Sequence, residues 1–538
     1  MEWSSYQKEI FEWIERSSDS LIIEAVAGSG KTTTIVEAIK HVPSSQSVIF
    51  LAFNKSIADE LRRRVTQPNA RCMTLHSLGL TAWKQHLQWD AGELEIDGGK
   101  TRAIVDELKL EYGEWTKEMT KLVGLAKGGG LTPKELVAAG FGTLLLDSQE
   151  TWDELMDRYD IDFEQVDLDL VREVLAIGIQ KAREVIDFDD MLYMPVIAGS
   201  QFEKVDVVFL DEAQDVNNIQ AEIVSRMLHT QSRVVAVGDP HQAIYGFRGA
   251  MQDSMEQLGK RFHCTQLPLS VSYRCPKGVV TRAREWVSHI LASESAIDGL
   301  VEHCPEWNVK DFLPGDAILC RNARPVVAVA FHLIRNKVAA RVVGRDIGQG
   351  LVALVNKMKA RTIADLDARL SLYRAREVGR LQGKKGSQGK IAALDDKLET
   401  VRVFMEEAGP HAGIGTLIAS IESLFGESQE MRGMVTCSTV HKSKGLEFER
   451  VFVLDAGELM PSRWARQEWE LQQEFNLCYV AATRAKRELR YISSEGLRTE
   501  VRNGSQTGCD VRGEDAGARG VAESEVRASE AAGGEDSV

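Results

Sequence analysis

The stretch LIIEAVAGSGKTTT, residues 21–34, decides the fold class of this chain. It begins with an apolar, β-rich run, continues through a loop with two glycines, and ends in a helical pattern. A continuous apolar run is typical of a strand buried on both faces of a parallel sheet, whose ligands lie beyond the carboxyl ends of the strands. The stretch therefore predicts an α/β fold with a ligand site at the loop.

Four further segments have the same pattern of an apolar run with polar residues or glycine at its end. VDVVFLDEAQD begins at Val205 and RVVAVGDPHQ at Arg233, while GMVTCSTVHKSKGL begins at Gly433 and ERVFVLDAG at Glu449. Each apolar run ends in polar residues or glycine, as parallel strands do before a ligand site. Because the two pairs lie far apart in the chain, we expect two α/β domains.

Two long segments interrupt these domains. Residues 82–186 are helix-rich with few strand patterns, and residues 346–428 are also helical. Within the second segment, residues 351–390 carry ten Lys or Arg against three Asp or Glu, which predicts either a solvated helix face or a nucleic-acid contact. The last 36 residues, from Asn503, are rich in Gly, Ala, Ser and Glu, a composition that predicts a disordered acidic tail.

The composition limits the function classes. The chain has 538 residues, 43% hydrophobic and 27% charged, as in soluble proteins of several domains. With 65 Lys and Arg against 80 Asp and Glu, its formal charge of −15 argues against a surface coated with positive charge for nucleic acid. The apolar runs fall short of the ~20 residues that cross a bilayer, and the eight cysteines lack zinc-site spacing. We expect a cytoplasmic protein in a reducing compartment, without a membrane partner.

The loop AVAGSGKTT, residues 25–33, has the residue types that cradle phosphates. Glycines let backbone N–H groups approach the phosphates, Lys31 reaches the β- and γ-phosphates, and Thr32 can bind Mg²⁺ through its hydroxyl. The predicted strand that begins at Val205 ends in the motif FLDEAQD. There Asp211 can hold Mg²⁺ and Glu212 can polarise an attacking water. Ala25 replaces the usual first glycine. The 180 residues between Lys31 and Asp211 disfavour kinases and small GTPases.

Eleven motifs, in order, resemble those of the superfamily 1 DNA helicases of the UvrD/Rep/PcrA type. They are SYQKEIF, AVAGSGKTT, LAFNKSIADEL, TLHSLG, DFDDML, FLDEAQD, VGDPHQAIYGFRGA, LSVSYRCP, LCRNA, TVHKSKGLEF and YVAATRAKREL. The resemblance runs from Gln7 to about Leu489 and implies an α/β fold with two RecA-like parallel-sheet motor domains, each with a helical insertion.

The resemblance also predicts the domain limits. The first motor domain comprises residues 1–81 and 187–272, with a helical insertion at 82–186. The second comprises residues 273–345 and 429–502, with a small basic helical insertion at 346–428, and the tail occupies 503–538. The second insertion is shorter than in relatives, which puts regulation by a large swivelling domain in doubt.

Roles around ATP and Mg²⁺ follow from the resemblance. Gln7 would read the adenine edge, Tyr273 would stack on the ring, and Gln242 would sense the γ-phosphate. Arg274 and Arg484 resemble two arginines that the second motor domain directs at the γ-phosphate. The predicted catalytic residues are Lys31, Asp211, Glu212, Gln242, Arg274 and Arg484; the predicted metal ligands are Thr32 and Asp211; the predicted nucleotide contacts are Gln7, Ala27, Gly28, Ser29, Gly30, Lys31, Thr32, Thr33, Tyr273 and Glu447.

A track for single-stranded DNA is implied in the same way. Aromatic faces stack bases at roughly 1–3 kcal/mol each without regard to sequence. The predicted DNA contacts are Phe53, Asn54, His76, Tyr245, Phe247, Arg248, Arg321, Asn322, Thr439 and His441. Phe247 stands where relatives commonly have Trp, so we expect a smaller base platform.

Together, the motifs and the resemblance favour an ATP-dependent DNA helicase that moves 3′→5′ along single strands and unwinds duplex. Its expected partners are single-stranded DNA, duplex junctions, and replication or repair proteins. Three alternatives stay open at this point: a translocase that displaces bound proteins and unwinds weakly, a subunit of an ATP-dependent nuclease, and a nucleotide-switched interaction module without motor activity.

Overall fold

The computed structural model describes residues 2–88, 94–108, 110, 114–159, 161, 166–244, 254–382, 387–426 and 433–498. The predicted tail from Asn503 lies outside these residues. Two six-stranded parallel sheets, each covered by helices, form the frame of the described chain. Among the described residues, every helix is too short or too polar to cross a bilayer.

The first sheet is assembled from two stretches of chain on either side of a helical insertion. The leading stretch contains α1 (Ser5–Arg16), β1 (Leu21–Ala25), α2 (Lys31–Ala38), β2 (Val48–Ala52), α3 (Lys55–Arg64), β3 (Ala70–Thr74) and α4 (Leu75–Leu87). The insertion contains β4 (Glu95–Ile96), α5 (Lys100–Glu107), α6 (Glu114–Gly129), α7 (Lys134–Ala138), α8 (Gln149–Arg158), α9 (Leu168–Lys181) and β5 (Val185–Ile186). The returning stretch contains α10 (Asp190–Ile197), β6 (Val205–Leu210), α11 (Asn218–Met227), β7 (Leu228–Gly238), α12 (Ser254–Phe262) and β8 (Thr265–Leu269). The strand order is β3-β2-β6-β7-β1-β8.

The second sheet repeats this plan. Its leading stretch contains β9 (Val271–Ser272), α13 (Lys277–Ala283), β10 (Leu291–Ala292), β11 (Leu300–Cys304), β12 (Trp307–Asn308), β13 (Ala317–Cys320), α14 (Ala323–Arg335) and β14 (Ala340–Val343). Its insertion contains α15 (Arg345–Met358), α16 (Ile363–Leu381), α17 (Ser387–Ala408) and α18 (Ile414–Leu424). Its returning stretch contains β15 (Val435–Thr439), α19 (Val440–Ser443), β16 (Phe448–Leu454), α20 (Glu468–Ala482), β17 (Ala485–Ile492) and β18 (Leu497–Arg498). The strand order is β11-β17-β16-β13-β15-β14.

The predicted α/β class with two RecA-like parallel sheets is confirmed. The five apolar segments form β1, β6, β7, β15 and β16, and each pairs in parallel with its neighbours. Strands β2, β13 and β15 are buried along their whole length, as continuous apolar runs require when helices cover both faces. The exact domain limits stay predictions.

A buried cluster of opposite charges joins the first insertion to its sheet. Lys127 Nζ in α6 lies 2.7 Å from an oxygen of Asp187 and 2.9 Å from an oxygen of Asp190, at the start of α10. Lys100 Nζ lies 2.6 Å from the other oxygen of Asp190. Both lysines are 2% exposed. Because removing one partner of a buried pair leaves a costly lone charge, this cluster fixes where the insertion meets the sheet.

Four arginines of the basic stretch, Arg369, Arg374, Arg376 and Arg380, are paired with acids of the same insertion. Arg369 lies 2.7 Å from Asp365 on α16, and Arg374 makes two hydrogen bonds, of 2.6 and 2.8 Å, with Asp395 on α17. Such pairs neutralise part of the positive charge that residues 351–390 carry in the sequence. Lys384 and Lys385 lie outside the described residues.

A glycine-mediated helix contact inside the first motor domain generates the first prediction. A Cβ at Gly79 of α4 would lie 2.1 Å from the backbone oxygen of Met191 in α10, whereas one at Gly178 of α9 would lie 3.8 Å from Ile104. We expect Gly79→Ala to destabilise the domain by about 1–3 kcal/mol, since backbone cannot yield without moving a helix. Gly178→Ala, the matched control, should be neutral or stabilising by up to ~1 kcal/mol, because alanine favours helix. Urea unfolding of both variants measures the difference, and equal midpoints would contradict the assigned helix contact.

Candidate functional site

The phosphate-type loop between β1 and α2 has the backbone conformation that its glycines predict. Gly28 and Gly30 have φ values of 72° and 80°, in the left-handed region. A Cβ at Gly28 would lie 2.5 Å from Cβ of Arg274, and Gly28 O accepts a 2.8 Å hydrogen bond from the backbone N–H of Tyr273. The loop is therefore packed directly against the start of the second half of the chain, and the contact requires glycine.

Lys31, the first residue of α2, lies in an acidic pocket. Its Nζ is 3.5 Å from Oε1 of Glu212. Burial opposes its charge, but the carboxylates of Glu212, Asp239, Asp211 and Asp215 outweigh that effect and raise the pKa of Lys31. The lysine is therefore held in its charged form at the mouth of the loop.

The adjacent carboxyls Asp211 and Glu212 follow β6 in the predicted position. Burial, together with the neighbouring Glu212, raises the pKa of Asp211 to about 7. Burial alone would raise the pKa of Glu212 as well, but the charges of Lys31 and Lys444 lower it to about 2. Glu212 has φ 49°, an uncommon left-handed conformation for a residue with a side chain. The Gln214 amide donates to the Glu212 carboxylate and fixes its direction.

A chain of hydrogen bonds runs from the end of β7 to the second sheet. Asp239 is fully buried, and its Oδ2 accepts a 2.6 Å bond from the amide of Gln242. Oε1 of Gln242 in turn accepts a 3.3 Å bond from Nη2 of Arg484. The predicted γ-phosphate sensor therefore contacts one of the two predicted arginines directly, across the boundary between the two sheets.

Arg484 is buried without an acidic partner among the described residues. It is 1% exposed and donates to the carbonyls of Val480 and Leu446 as well as to Gln242. Burial, and then the charge of nearby Arg274, lower its pKa to about 10. A guanidinium in this setting is stabilised by an anion that enters the cleft.

The second predicted arginine is paired in the described structure. Nε of Arg274 lies 2.7 Å from Oε2 of Glu447, whose Oε1 lies 2.7 Å from Nζ of Lys486. Although burial disfavours its charge, Lys486 and Arg274 lower the pKa of Glu447. Glu447, a predicted nucleotide contact, thus holds Arg274 at the cleft.

The two residues predicted to contact adenine, Gln7 and Tyr273, lie beside each other. The amide of Gln7 donates to Oγ1 of Thr34 at 2.9 Å and accepts from the backbone N–H of Ser4 at 3.0 Å. The Tyr273 hydroxyl lies 3.4 Å from Oε1 of Gln7, and the tyrosine is 46% exposed, with its ring accessible for stacking. Oγ1 of Thr33 accepts a 3.1 Å hydrogen bond from Arg64 at the end of α3. This bond links the start of α2 to α3.

Two cross-sheet residues complete the cleft and were missed in the sequence. Nζ of Lys444 lies 2.5 Å from Asp215 and 2.7 Å from the carbonyl of Gln242. The hydroxyl of Tyr479 accepts a 2.8 Å bond from the backbone N–H of Ala27 in the loop. Both residues stand inside quoted motifs, KSKGLEF and YVAATRA, which was the available signal.

The predicted DNA residues form a less uniform set. Phe53 is 43% exposed after β2, as a base platform requires, but the side chain of Asn54 caps α3 by accepting from the backbone N–H of Ile57 at 2.9 Å. His76 is half-buried near the start of α4, and burial lowers its pKa. Tyr245, Phe247 and Arg248 lie outside the described residues.

The DNA residues predicted in the second motor domain lie at the carboxyl ends of β13 and β15. Arg321 is bound by Glu474 through Nε, at 3.0 Å, and Nη2, at 2.8 Å. Asn322 is the N-cap residue of α14, Thr439 is buried at the N-cap of α19, and His441 is half-buried in α19. Glu474 of α20 therefore orients Arg321.

The site chemistry fits a magnesium nucleotide. The Ser29 hydroxyl is buried in the loop and has no hydrogen-bond partner among the described residues, and the left-handed glycines turn backbone N–H groups toward the same space. Asp211 is a buried carboxylate with no pairing cation of its own in the salt bridges of the described chain. Carboxylate and hydroxyl oxygens are the ligands that Mg²⁺ prefers, so Asp211 and Thr32 fit the ion.

The hydroxyl of Tyr479 generates the second prediction. Tyr479→Phe leaves the buried N–H of Ala27 without its partner, an unmet bond that costs about 1–3 kcal/mol. We expect several-fold weaker binding of a fluorescent ATP analogue and a lower unfolding temperature. Tyr491→Phe is the matched control, since it loses a 3.1 Å bond to Arg282 away from the loop and should lower stability alone. Wild-type nucleotide affinity in Tyr479→Phe would contradict this role.

Comparison with protein-family models gives two matches in the order of the two sheets. Residues 6–263 match the UvrD/REP helicase N-terminal domain, and residues 354–496 match the UvrD-like helicase C-terminal domain. Together the matches cover about three quarters of the chain.

Individual relatives are distant in sequence. F-box DNA helicase protein 1 of Schizosaccharomyces pombe is 25% identical over 525 residues, which cover 90% of this chain and 57% of the relative. A probable DNA helicase of Mycoplasma pneumoniae is 23% identical over 505 residues, or 88% of this chain and 80% of the relative. ATP-dependent DNA helicase Rep of Escherichia coli is 25% identical over 289 residues, which cover 48% of this chain and 40% of the relative.

The chain spans about half the length of the F-box and Rep relatives. The shared motifs, the two parallel sheets and both family-model matches nevertheless agree. The chain belongs to the UvrD/Rep/PcrA-type family of superfamily 1 helicases.

Proposed function

We propose that this chain is an ATP-driven DNA helicase that moves along single-stranded DNA in the 3′→5′ direction and unwinds duplex. The observation that carries the proposal is the buried Arg484, whose described partners are all neutral and which lies across the cleft from Lys31's loop. A polyanion bound between them would draw the two motor domains together. Family membership supports DNA as the second ligand.

The cleft residues divide the chemistry of ATP hydrolysis among them. Lys31 and the loop N–H groups bind the phosphates, and Glu212, ionised and oriented by Gln214, directs a water at the γ-phosphate. Arg274 and Arg484 stabilise the charge that develops on the transferred phosphoryl oxygens. Mg²⁺, held by Thr32 and Asp211, would neutralise phosphate charge when bound.

Coupling to DNA follows from the chain of contacts through Gln242. Gln242 binds Asp239 on one side and Arg484 on the other, and it lies three residues before Tyr245, at the start of the predicted base-stacking segment. A change in the phosphate state at Arg484 would therefore move the backbone that leads into the DNA track. Cleft closure and opening would shift the strand by a ratchet.

The third prediction tests the chemistry. Lys31→Ala and Glu212→Gln should each abolish most ATP turnover measured with saturating single-stranded DNA. Glu212→Gln should still bind an ATP analogue, because it removes the water-directing carboxylate and keeps the phosphate loop. Glu203→Gln is the control, since Glu203 makes an exposed ion pair with Arg71. Turnover in Glu212→Gln equal to that of the control would contradict the assigned role.

The fourth prediction tests the coupling. Phe247→Ala should lose DNA-stimulated turnover and strand movement far more than basal turnover, because it removes a base platform worth roughly 1–3 kcal/mol and no phosphate contact. Basal and stimulated rates that fall in the same proportion would place Phe247 in the core. Unwinding and protein-displacement assays on the wild-type chain separate a helicase from a translocase that unwinds weakly.

A further inference from the structure

Glu24, His241 and His289 form a cluster that includes none of the predicted nucleotide or DNA contacts. One ligand atom of each residue lies within 4.8 Å of the others. His289 Nε2 is 3.9 Å from Oε1 of Glu24, and the two imidazole rings have centroids 5.8 Å apart. Glu24 belongs to β1, His241 to the turn after β7, and His289 to the loop between α13 and β10.

The donor set suits a transition-metal cation. Two imidazoles and one carboxylate are three protein ligands of the kind that leave a fourth tetrahedral position of Zn²⁺ open. Bonds of about 2.0–2.2 Å would place the ligand atoms ~3.3 Å apart. Since the His289 side chain is 41% exposed, it can rotate inward by the small distance that this requires.

Neighbouring groups orient two of the three ligands. The amide of Gln266 donates to Oε2 of Glu24, which leaves Oε1 as the atom nearest to His289. The ring of His241 packs edge-on against that of Tyr479, with centroids 6.2 Å apart. Such outer contacts are what fix metal ligands in direction.

The surroundings leave room for a fourth ligand. Glu24 and Gln266 line a cavity of about 840 Å³ between the two motor domains. A water molecule in this cavity, which Glu24 lines but the two histidines do not, can complete the coordination. The cluster therefore meets three requirements of a metal site: ligand type, orientation and access.

The three ligands come from both motor domains. Glu24 and His241 lie at the first sheet, whereas His289 follows α13, which packs against β11 and β17 of the second sheet. We propose that Glu24, His241 and His289 bind Zn²⁺, or a cation of the same class, as a bridge between the two motor domains. A cation bound by all three side chains stabilises the present arrangement of the two motor domains relative to one with an open cleft.

Metal binding itself is the test and needs no nucleotide or DNA. Zn²⁺ affinity of the full chain is measured by competition with a chromophoric chelator. We expect one site per chain that is weakened at least about tenfold in His289→Ala and in Glu24→Gln. His332→Ala, a half-buried histidine on α14, is the matched control and should bind as the wild type does. Equal Zn²⁺ affinity in His289→Ala and the wild type would overturn the site.

A second measurement tests the bridge. Zn²⁺ should raise the unfolding temperature of the wild type and leave that of His289→Ala unchanged. Only in the wild type can the bound ion link the two motor domains. Under the proposed function, Zn²⁺ should also slow DNA-stimulated ATP turnover in the wild type but not in His289→Ala. A chain with no turnover would count against the proposed function alone, because the binding measurement is independent of it. Zn²⁺ bound with wild-type affinity but without the thermal difference would overturn the bridging role.

Discussion

Lys31 lies partly buried beside Glu212, Asp239 and Asp211, and charges so placed persist only when partners are held around them. Part of that surrounding charge comes from the other motor domain, where Lys444 lies 2.5 Å from Asp215 and acts on Glu212 as well. Without Lys444, the carboxylates around Lys31 would outnumber the positive charges that neutralise them. Apposition of the two sheets therefore contributes to the electrostatic balance of the site.

Most of the frame could be predicted because its signals are local. Strands buried on both faces read as continuous apolar runs, and their carboxyl ends meet at one edge, so Asp211 after β6 and Asp239 after β7 lie near Lys31 after β1. The same rule places Thr439 at the end of β15. The left-handed glycines of the loop were predictable for the same reason, since phosphate cradles need that backbone.

Contacts between the two halves could not be predicted from local pattern. The bond from Ala27 to Tyr479 joins residues 452 positions apart, and no periodicity in the sequence specifies such a meeting. Nor does a motif reveal that Asn54 caps a helix or that Arg321 is bound by Glu474. The charge count over residues 351–390 could not show these pairings either, because acids such as Asp395 lie beyond that window yet pair with arginines inside it. Whether the segment is a solvated helix face or a nucleic-acid contact stays a prediction.

Opening of the cleft must break a specific set of contacts. Asn476 in α20 donates to the carbonyls of Pro240 at 3.3 Å and Ala243 at 2.9 Å, and Tyr479, one turn later, binds Ala27. Both acceptor carbonyls flank Gln242, so a single helix face holds the phosphate loop and the segment that leads to the predicted DNA contacts. Since these bonds are neutral and individually worth about 0.5–1.5 kcal/mol, a bound polyanion can outweigh or release them. Under the proposed function, this modest strength would let α20 transmit a change of nucleotide state to the bound DNA.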